Sequence, residues 1–365
     1  MSIRPQHLHH ILPRFGLGFA RVATEHAIPG SPERCVERTV AADNANSLWM
    51  VERLTPTQHL RRETVAHLLA ALQQHGLNWV PAYLPTTPHP VEGSPARQTT
   101  ANTYVMQHMG SHWQVSPFIV GHPLPRPEFL MDAWRGNAVA AMLLALHKAA
   151  HHVAVPPAPV SPLADYINHM LGSLATRQPA IYRRLQPAVA VLGDVQALVA
   201  AQPQTLAHGD VHPLNLIWRN GPALHNTPMA DDSYPAGNAP AKSHGPAPSG
   251  KHGAHTKTPP AAPGTLVAAI DWEFCGKQPL LYDVANCVGC CGFEHPSALA
   301  GPLVTALTQT LIAGGLSSSL MALLPRMILA SRFGWLAEWL RKHDDDMLDM
   351  ELDYMGILTA FAKTT

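Results

Sequence analysis

Residues 206–218 read Leu206-Ala207-His208-Gly209-Asp210-Val211-His212-Pro213-Leu214-Asn215-Leu216-Ile217-Trp218. Apolar residues flank a polar knot, in which His208 stands two before Asp210 and Asn215 five after it. The spacing suits one kind of chemistry. A carboxylate accepts a hydroxyl proton while a neighbouring amide oxygen holds a metal ion on a charged co-substrate. A short loop carries both groups to one point, and Pro213 stiffens it by fixing its own φ. Alone, the stretch also fits a turn with a buried histidine and a capping aspartate, so the rest of the chain decides.

Composition narrows the classes. A chain of 365 residues is long enough for two lobes, each with its own core. Lys+Arg and Asp+Glu stand at 25 each, so no overall charge would hold nucleic acid or an anionic membrane. Met1 to Phe19 lacks the unbroken apolar core of a signal peptide. Residues 302–330 come nearest to a membrane span, but Gln309, Ser317–Ser319 and Arg326 interrupt them. The five Cys are odd in number and clustered, which argues against a secreted disulfide framework. A soluble cytoplasmic protein with no nucleic-acid or membrane partner is expected.

Upstream of the loop, Cys35–Val40 and Ser47–Leu54 alternate as strands do, around a turn at 42–46. The turn before them, residues 27–34, carries Gly30, Ser31 and Arg34. This layout either drapes a loop over nucleotide phosphates or is a plain meander. Residues 1–23 show no clear period, and Gly16-Leu17-Gly18 reads as a turn. Thr57 is the expected cap of a helix reaching about Gln74, with Glu63 in its first half. Residues 103–108 and 112–119 form a hairpin pattern, and a boundary falls near 117–123. Helical spacing then marks 130–152, 163–177 and 182–201.

Downstream, residues 221–264 are rich in Pro, Gly, Ala, Ser and His with almost no large apolar side chains. Such a segment cannot offset its ordering entropy and is expected to be a disordered insertion. An apolar run, 265–270, then delivers Asp271 at the end of a strand. Three helices are expected over 297–363, including Leu324–His343 and a last one near Met350–Phe361. Two metal-like groupings read better as packing. His147 and His151 lack a third ligand and suit a His-rich solvent face. Cys287, Cys290 and Cys291, with His295, converge poorly from one helical turn and suit small buried residues.

Asp271, paired with the upstream Asp210 and Asn215, meets the demand of phosphoryl transfer. Three segments carry a resemblance in this order: His208 to Leu216, Ile270-Asp271-Trp272-Glu273-Phe274-Cys275-Gly276, and Tyr282-Asp283-Val284-Ala285-Asn286. Together they resemble the aminoglycoside phosphotransferase and choline kinase group of kinase-like small-molecule phosphotransferases. The resemblance is strong from 206 to 290 and weak before it.

It implies an α+β, two-lobed protein-kinase-like fold. A small N-lobe with an antiparallel sheet and one helix would span 1–119. A larger, mostly helical C-lobe would span 120–365, with the catalytic loop at 206–217 and the metal segment at 270–273. It implies ATP and Mg2+ as cofactors and a small hydroxylated acceptor. Asp210 resembles the catalytic base, Asn215 and Asp271 the Mg2+ ligands, His208 a loop brace, and Asp283 a residue securing loop geometry. Adenine would meet the backbone near Ser116, Phe118 and Ile119.

One departure stands out. The family usually carries a basic or polar residue on the third N-lobe strand, paired with a helix Glu. Here Glu52 takes the inward position. Either a one-residue slip brings Arg53 inward with Glu63 as partner, or phosphate binding relies on Arg34 or Arg38. For the acceptor, Glu273 and the pair Trp335 and Trp339 are candidates, because tryptophan faces attract quaternary ammonium groups. Two tryptophans packing a helix into the core are the simpler reading. An idle nucleotide-binding pseudokinase is the rival, motivated by the missing strand lysine. A protein kinase is disfavoured by the absence of an Ala-Pro-Glu-type segment.

Overall fold

A computed structural model describes residues 3–26, 28, 35–87, 102–219 and 263–364. Ser31 and Arg34, and nearly all of the expected insertion at 221–264, lie outside the described residues. The chain opens with helix α1 (Pro5–Ile11), begun by a proline whose missing N–H is no loss there. No sequence period announces it, because it is barely two turns long. Its Leu8 and Ile11, with Leu12 and Phe15 just beyond, cover one face of a sheet. The strands are β1 (Arg21–Val22), β2 (Glu37–Ala42), β3 (Leu48–Leu54), β4 (Val105–His108) and β5 (Ser111–Pro117). All pairs are antiparallel, in the order β1-β2-β3-β5-β4.

The register decides which side chains share a face of the sheet. Glu52 lies opposite Arg38 and Gln114, whereas Arg53 lies opposite Glu37 and Trp113. Val51 and Trp113 belong to the small core under α1. Alternation therefore puts Arg53 on the α1 face and Glu52 on the other. That other face meets helix α2 (His59–Gln74). The expected cap is corrected: Gln58, not Thr57, holds the N-cap position, and Thr57 bonds the Thr55 hydroxyl at 3.1 Å.

Beyond Pro117 the chain becomes mostly helical: α3 (Ala133–Ala149), α4 (Leu163–Arg177), α5 (Pro179–Leu192) and α6 (Val195–Ala200). The expected helix over 182–201 is thus two. Gly193, at φ 60°, ends α5, and the Asp194 side chain accepts from Ala197 N at 3.0 Å to start α6. Four short strands follow: β6 (Gln204–Ala207), β7 (Leu216–Arg219), β8 (Thr265–Ala269) and β9 (Gly276–Pro279). They pair as β6–β9 and β7–β8, both antiparallel. The chain ends with α7 (Tyr282–Glu294), α8 (Pro302–Ala313), α9 (Ser318–Met321), α10 (Leu324–Lys342) and α11 (Asp345–Thr364). The last helix starts earlier than expected, where Asp344 accepts from Met347 N at 3.1 Å.

Helix α2 belongs to both halves. It flanks the sheet, yet Val65, Leu68, Leu69 and Leu72 join the large core built by α3, α7, α8, α10 and α11. Within that core α3 crosses α8 at Gly136, where a Cβ would run into the Leu303 carbonyl. Gly136→Ala is therefore expected to lose about 1–3 kcal/mol of stability. Gly172→Ala, on α4 with open space around it, should gain about 0.5–1 kcal/mol from helix propensity. Denaturant midpoints of the two variants check the contrast.

Candidate active site

The loop between β6 and β7 is fixed from three sides. At Gly209 the backbone turns with φ 87°, and a Cβ there would collide with the Phe274 carbonyl, so only glycine fits. Beneath it, Asp283 on α7 accepts from His208 N at 2.7 Å and Gly209 N at 2.9 Å. Burial pushes the Asp283 carboxyl up to about 7, Asp210 nearby adds to this, and the two N–H donors work against it. The buried His208 ring accepts from Asp210 N at Nδ1 (3.2 Å), so Nε2 carries the proton and donates to Ile270 O at 2.9 Å. The ring also packs on Trp272, with centroids 4.4 Å apart.

These contacts hold Asp210 in one orientation. Asn215 Nδ2 donates to its Oδ2 at 2.9 Å and to its backbone oxygen at 3.0 Å. Asn286 Nδ2 lies 3.5 Å from Oδ1 and also donates to Val211 O at 3.3 Å. His212 Nε2 stands 3.7 Å from Oδ2. With its amide nitrogen turned to Asp210, Asn215 keeps Oδ1 as its acceptor end. Ile270 N donates to Asn215 O at 2.8 Å and so sets Asp271 beside this loop. Asp271 sits in the left-handed region at φ 75° and ψ 59°, a strained place for a side-chain-bearing residue. A carboxylate and an amide oxygen are hard donors of the kind that hold Mg2+, so this pair fits such an ion.

Among the described residues no three His, Cys, Asp or Glu stand close enough to hold a metal by themselves. Cys287 and Cys291 are buried and Cys290 partly so, all as free thiols, and the His295 ring bonds Ser297 at 2.8 Å. His147 is not on a solvent face as expected; burial pushes its pKa down to about 4.

The expected partner of Glu63 is not Arg53. Arg53 pairs with Glu37 at 3.3 Å on the α1 face. The Glu63 carboxylate accepts from Tyr104 N at 2.9 Å. The ion pair between β3 and α2 is instead Glu52 with Arg62, at 3.3 Å, and both are buried. Arg62 also pairs with Glu273 and donates to the Tyr83 hydroxyl at 2.8 Å. The sequence held half of the signal: strand alternation already turned Glu52 inward, but nothing local set Arg62 apart from Arg61 or Glu63. Ser116 lies opposite Met50 at the end of β5, and Phe118 N donates to Leu48 O at 2.9 Å, so both mark where the chain leaves the sheet. Ile119 follows, half-buried.

No family description and no curated protein sequence matches this chain. Solved structures do. An aminoglycoside phosphotransferase from Alicyclobacillus acidocaldarius superposes with TM-score 0.55 at 14% identity, over 100% of this chain and 96% of that one. The amicoumacin kinase hAmiN, in complex with AMP-PNP, Ca2+ and Ami, gives TM-score 0.57 at 13% identity, over 96% and 93%. A choline/ethanolamine kinase family protein from Mesorhizobium loti gives 0.51 at 12%, over 93% and 92%. The fold is that of the kinase-like small-molecule phosphotransferases. The resemblance read from residues 206–290 is matched along nearly the whole chain.

Within this fold, Trp335 lies near the loop that carries Asp210. Its Nε1 donates to Asn286 Oδ1 at 3.2 Å, and its ring meets His212 edge-on at 6.0 Å. Trp339 stacks on it at 5.9 Å but is buried, with Nε1 3.4 Å from Glu351. The chain supplies its own cation here: the Arg332 guanidinium lies 5.4 Å from the Trp335 ring and is paired with Glu351 at 2.7 Å. Trp339 thus packs the core, and Trp335 alone borders the loop.

Asp283 gives a pH signature. In the folded chain it binds a proton up to about pH 7, whereas the unfolded carboxyl releases it near 3.8. Proton binding favours the folded state in that window, so its contribution is full below about pH 4 and lost as pH rises through about 7. Asp283→Asn cannot titrate. The stability advantage of the parent over this variant should shrink between pH 5 and pH 8, read by denaturant unfolding.

Proposed function

We propose that this protein is an ATP-dependent phosphotransferase that moves the γ-phosphate to a hydroxyl of a small molecule. The carrying observation is the orientation of Asp210, whose two carboxylate oxygens are addressed by Asn215 and Asn286 at the mouth of a braced loop. Asp210 accepts the acceptor's hydroxyl proton. Asn215 and Asp271 would hold Mg2+, which when bound neutralises charge on the phosphates. His208 and Asp283 keep the loop in shape and touch neither reactant. ATP would lie along the cleft face of the sheet, with adenine at Ser116, Phe118 and Ile119 where β5 ends. The similar solved structures bound to AMP-PNP, and to GDP with kanamycin, support nucleotide use and a small acceptor.

The acceptor belongs to a set of small alcohols: choline- or ethanolamine-like, amino sugar, aminoglycoside or homoserine-like. Occupation of the Trp335 ring by Arg332 weighs against a quaternary ammonium cage built from both tryptophans. The five free thiols suit a reducing cytoplasm, and among the described residues no helix is long and apolar enough to cross a membrane. One observation favours a second reading, an idle nucleotide-binding protein: an acid, Glu52, fills the inward strand position where the family resemblance implies a basic or polar residue.

ATP consumption across a panel of these alcohols separates the readings. The proposal expects turnover on at least one, lost by 100-fold or more in Asp210→Asn, with the thermal shift by ATP and Mg2+ retained. A thermal shift without turnover on any alcohol favours the idle protein.

A further inference from the structure

The buried charges between β3 and α2 are arranged in the reverse of the order the sequence resemblance implies. The strand supplies the acid and the helix supplies the base. Arg62 on α2 sits between Glu52 on β3 and Glu273, which lies two residues beyond Asp271. Its guanidinium also meets the Tyr83 hydroxyl at 2.8 Å, and its backbone oxygen lies 3.4 Å from Gln114 Nε2 on β5. The neighbouring Arg61 donates to the backbone oxygens of Glu273 (3.1 Å), Cys275 and Pro157 (3.4 Å). Two consecutive arginines of one helix therefore grip the short turn 272–275 by its side chain and by its carbonyls.

That turn begins at Asp271, which is held at φ 75°. A strained backbone persists only where its surroundings over-determine it. From the loop side, His208 binds Ile270 O and Asn215 O receives Ile270 N. From the far side, α2 binds 273 and 275. A planar guanidinium addresses Glu52, Glu273 and Tyr83 from separate nitrogens in a fixed fork, which a compact ammonium of different reach does not reproduce.

We propose that Arg62 is a positioning residue for the Asp271 carboxylate, tying the sheet through Glu52 to the metal-binding turn through Glu273. This rests on the phosphotransferase reading. The helix thus supplies the cation that pairs with the strand's acid, and the same cation braces the turn that begins at Asp271. Glu52 then anchors Arg62, which accounts for an acid at the inward strand position.

The test measures the Mg2+ concentration that gives half-maximal binding of a non-hydrolysable ATP analogue, by titration calorimetry well below the melting temperature. Arg62→Lys is expected to raise it about tenfold, with binding of the analogue in EDTA unchanged. The double variant Glu52→Gln/Arg62→Gln removes both members of the pair together, so it leaves fewer uncompensated buried charges. It should show the same rise while remaining folded by circular dichroism. If either folded variant keeps the parental Mg2+ midpoint, Arg62 is merely structural and the proposal is overturned while the phosphotransferase reading stands. A parent protein that binds no analogue at any Mg2+ concentration overturns both.

Discussion

The buried carboxylate of Asp283 sets the terms for everything around it. Two consecutive backbone N–H groups, of His208 and Gly209, point at its two oxygens. Left without it, both would be buried donors lacking an acceptor, at about 1–3 kcal/mol each. The clamp crosses 75 residues of sequence and joins the start of α7 to the end of β6. The left-handed turn at Gly209 lets the chain deliver both N–H groups to one carboxyl, and the same turn throws Asp210 outward. Once the loop is held, His208 reaches Ile270 and Asn215 reaches back to Asp210. The chemistry-bearing side chains come from three separated segments, and each is placed by a bond to the next.

The helical half is organised around a second buried charge. Arg332 and Glu351 are both almost fully inaccessible. Their guanidinium–carboxylate pair joins α10 to α11, and Phe293, Trp335 and Tyr354 surround the cation within 4.9–5.4 Å. A buried pair contributes little net stability once its desolvation is counted. Its effect here is selective: α10 can rotate only by leaving Glu351 unpaired. Trp335 is thereby held toward Asn286 and the loop. A buried charge thus sets the ring that borders the loop carrying Asp210.

How far the sequence could be read follows from the range of the forces involved. Loop 206–215, the strand into Asp271 and the entry to α7 are dense in short-range constraints: fixed φ values, left-handed turns and apolar runs of strand length. Their geometry was legible. The division of residues 182–201 into two helices rests on Gly193 and Asp194, whose turn chemistry a helical period masks. Helix α1 was invisible because seven residues with three histidines show no period, and its burial depends on a sheet assembled from residues 21–117. The Arg62 clasp was harder still. Nothing local distinguishes Arg61, Arg62 and Glu63. Only the β3 register and the approach of residue 273, more than 200 positions away, select Arg62.

That selection bears on what a missing residue means. An acid at an inward strand position reads as a defect when each residue is matched to an expected role by itself. Taken with its neighbours, the charge count is different. Glu52 and Glu273 flank Arg62, and Arg38 stands across the strand from Glu52 on the same face. Two acids and two bases thus share this side of the sheet. Electrostatics constrains the sum and spacing of buried charges and is indifferent to which element carries which sign. Exchanging acid and base between strand and helix conserves the interaction that couples them. It also changes the reach: a cation on the helix extends to Glu273 as well as to the strand. The exchange therefore leaves α2 bound more directly to the turn that begins at Asp271.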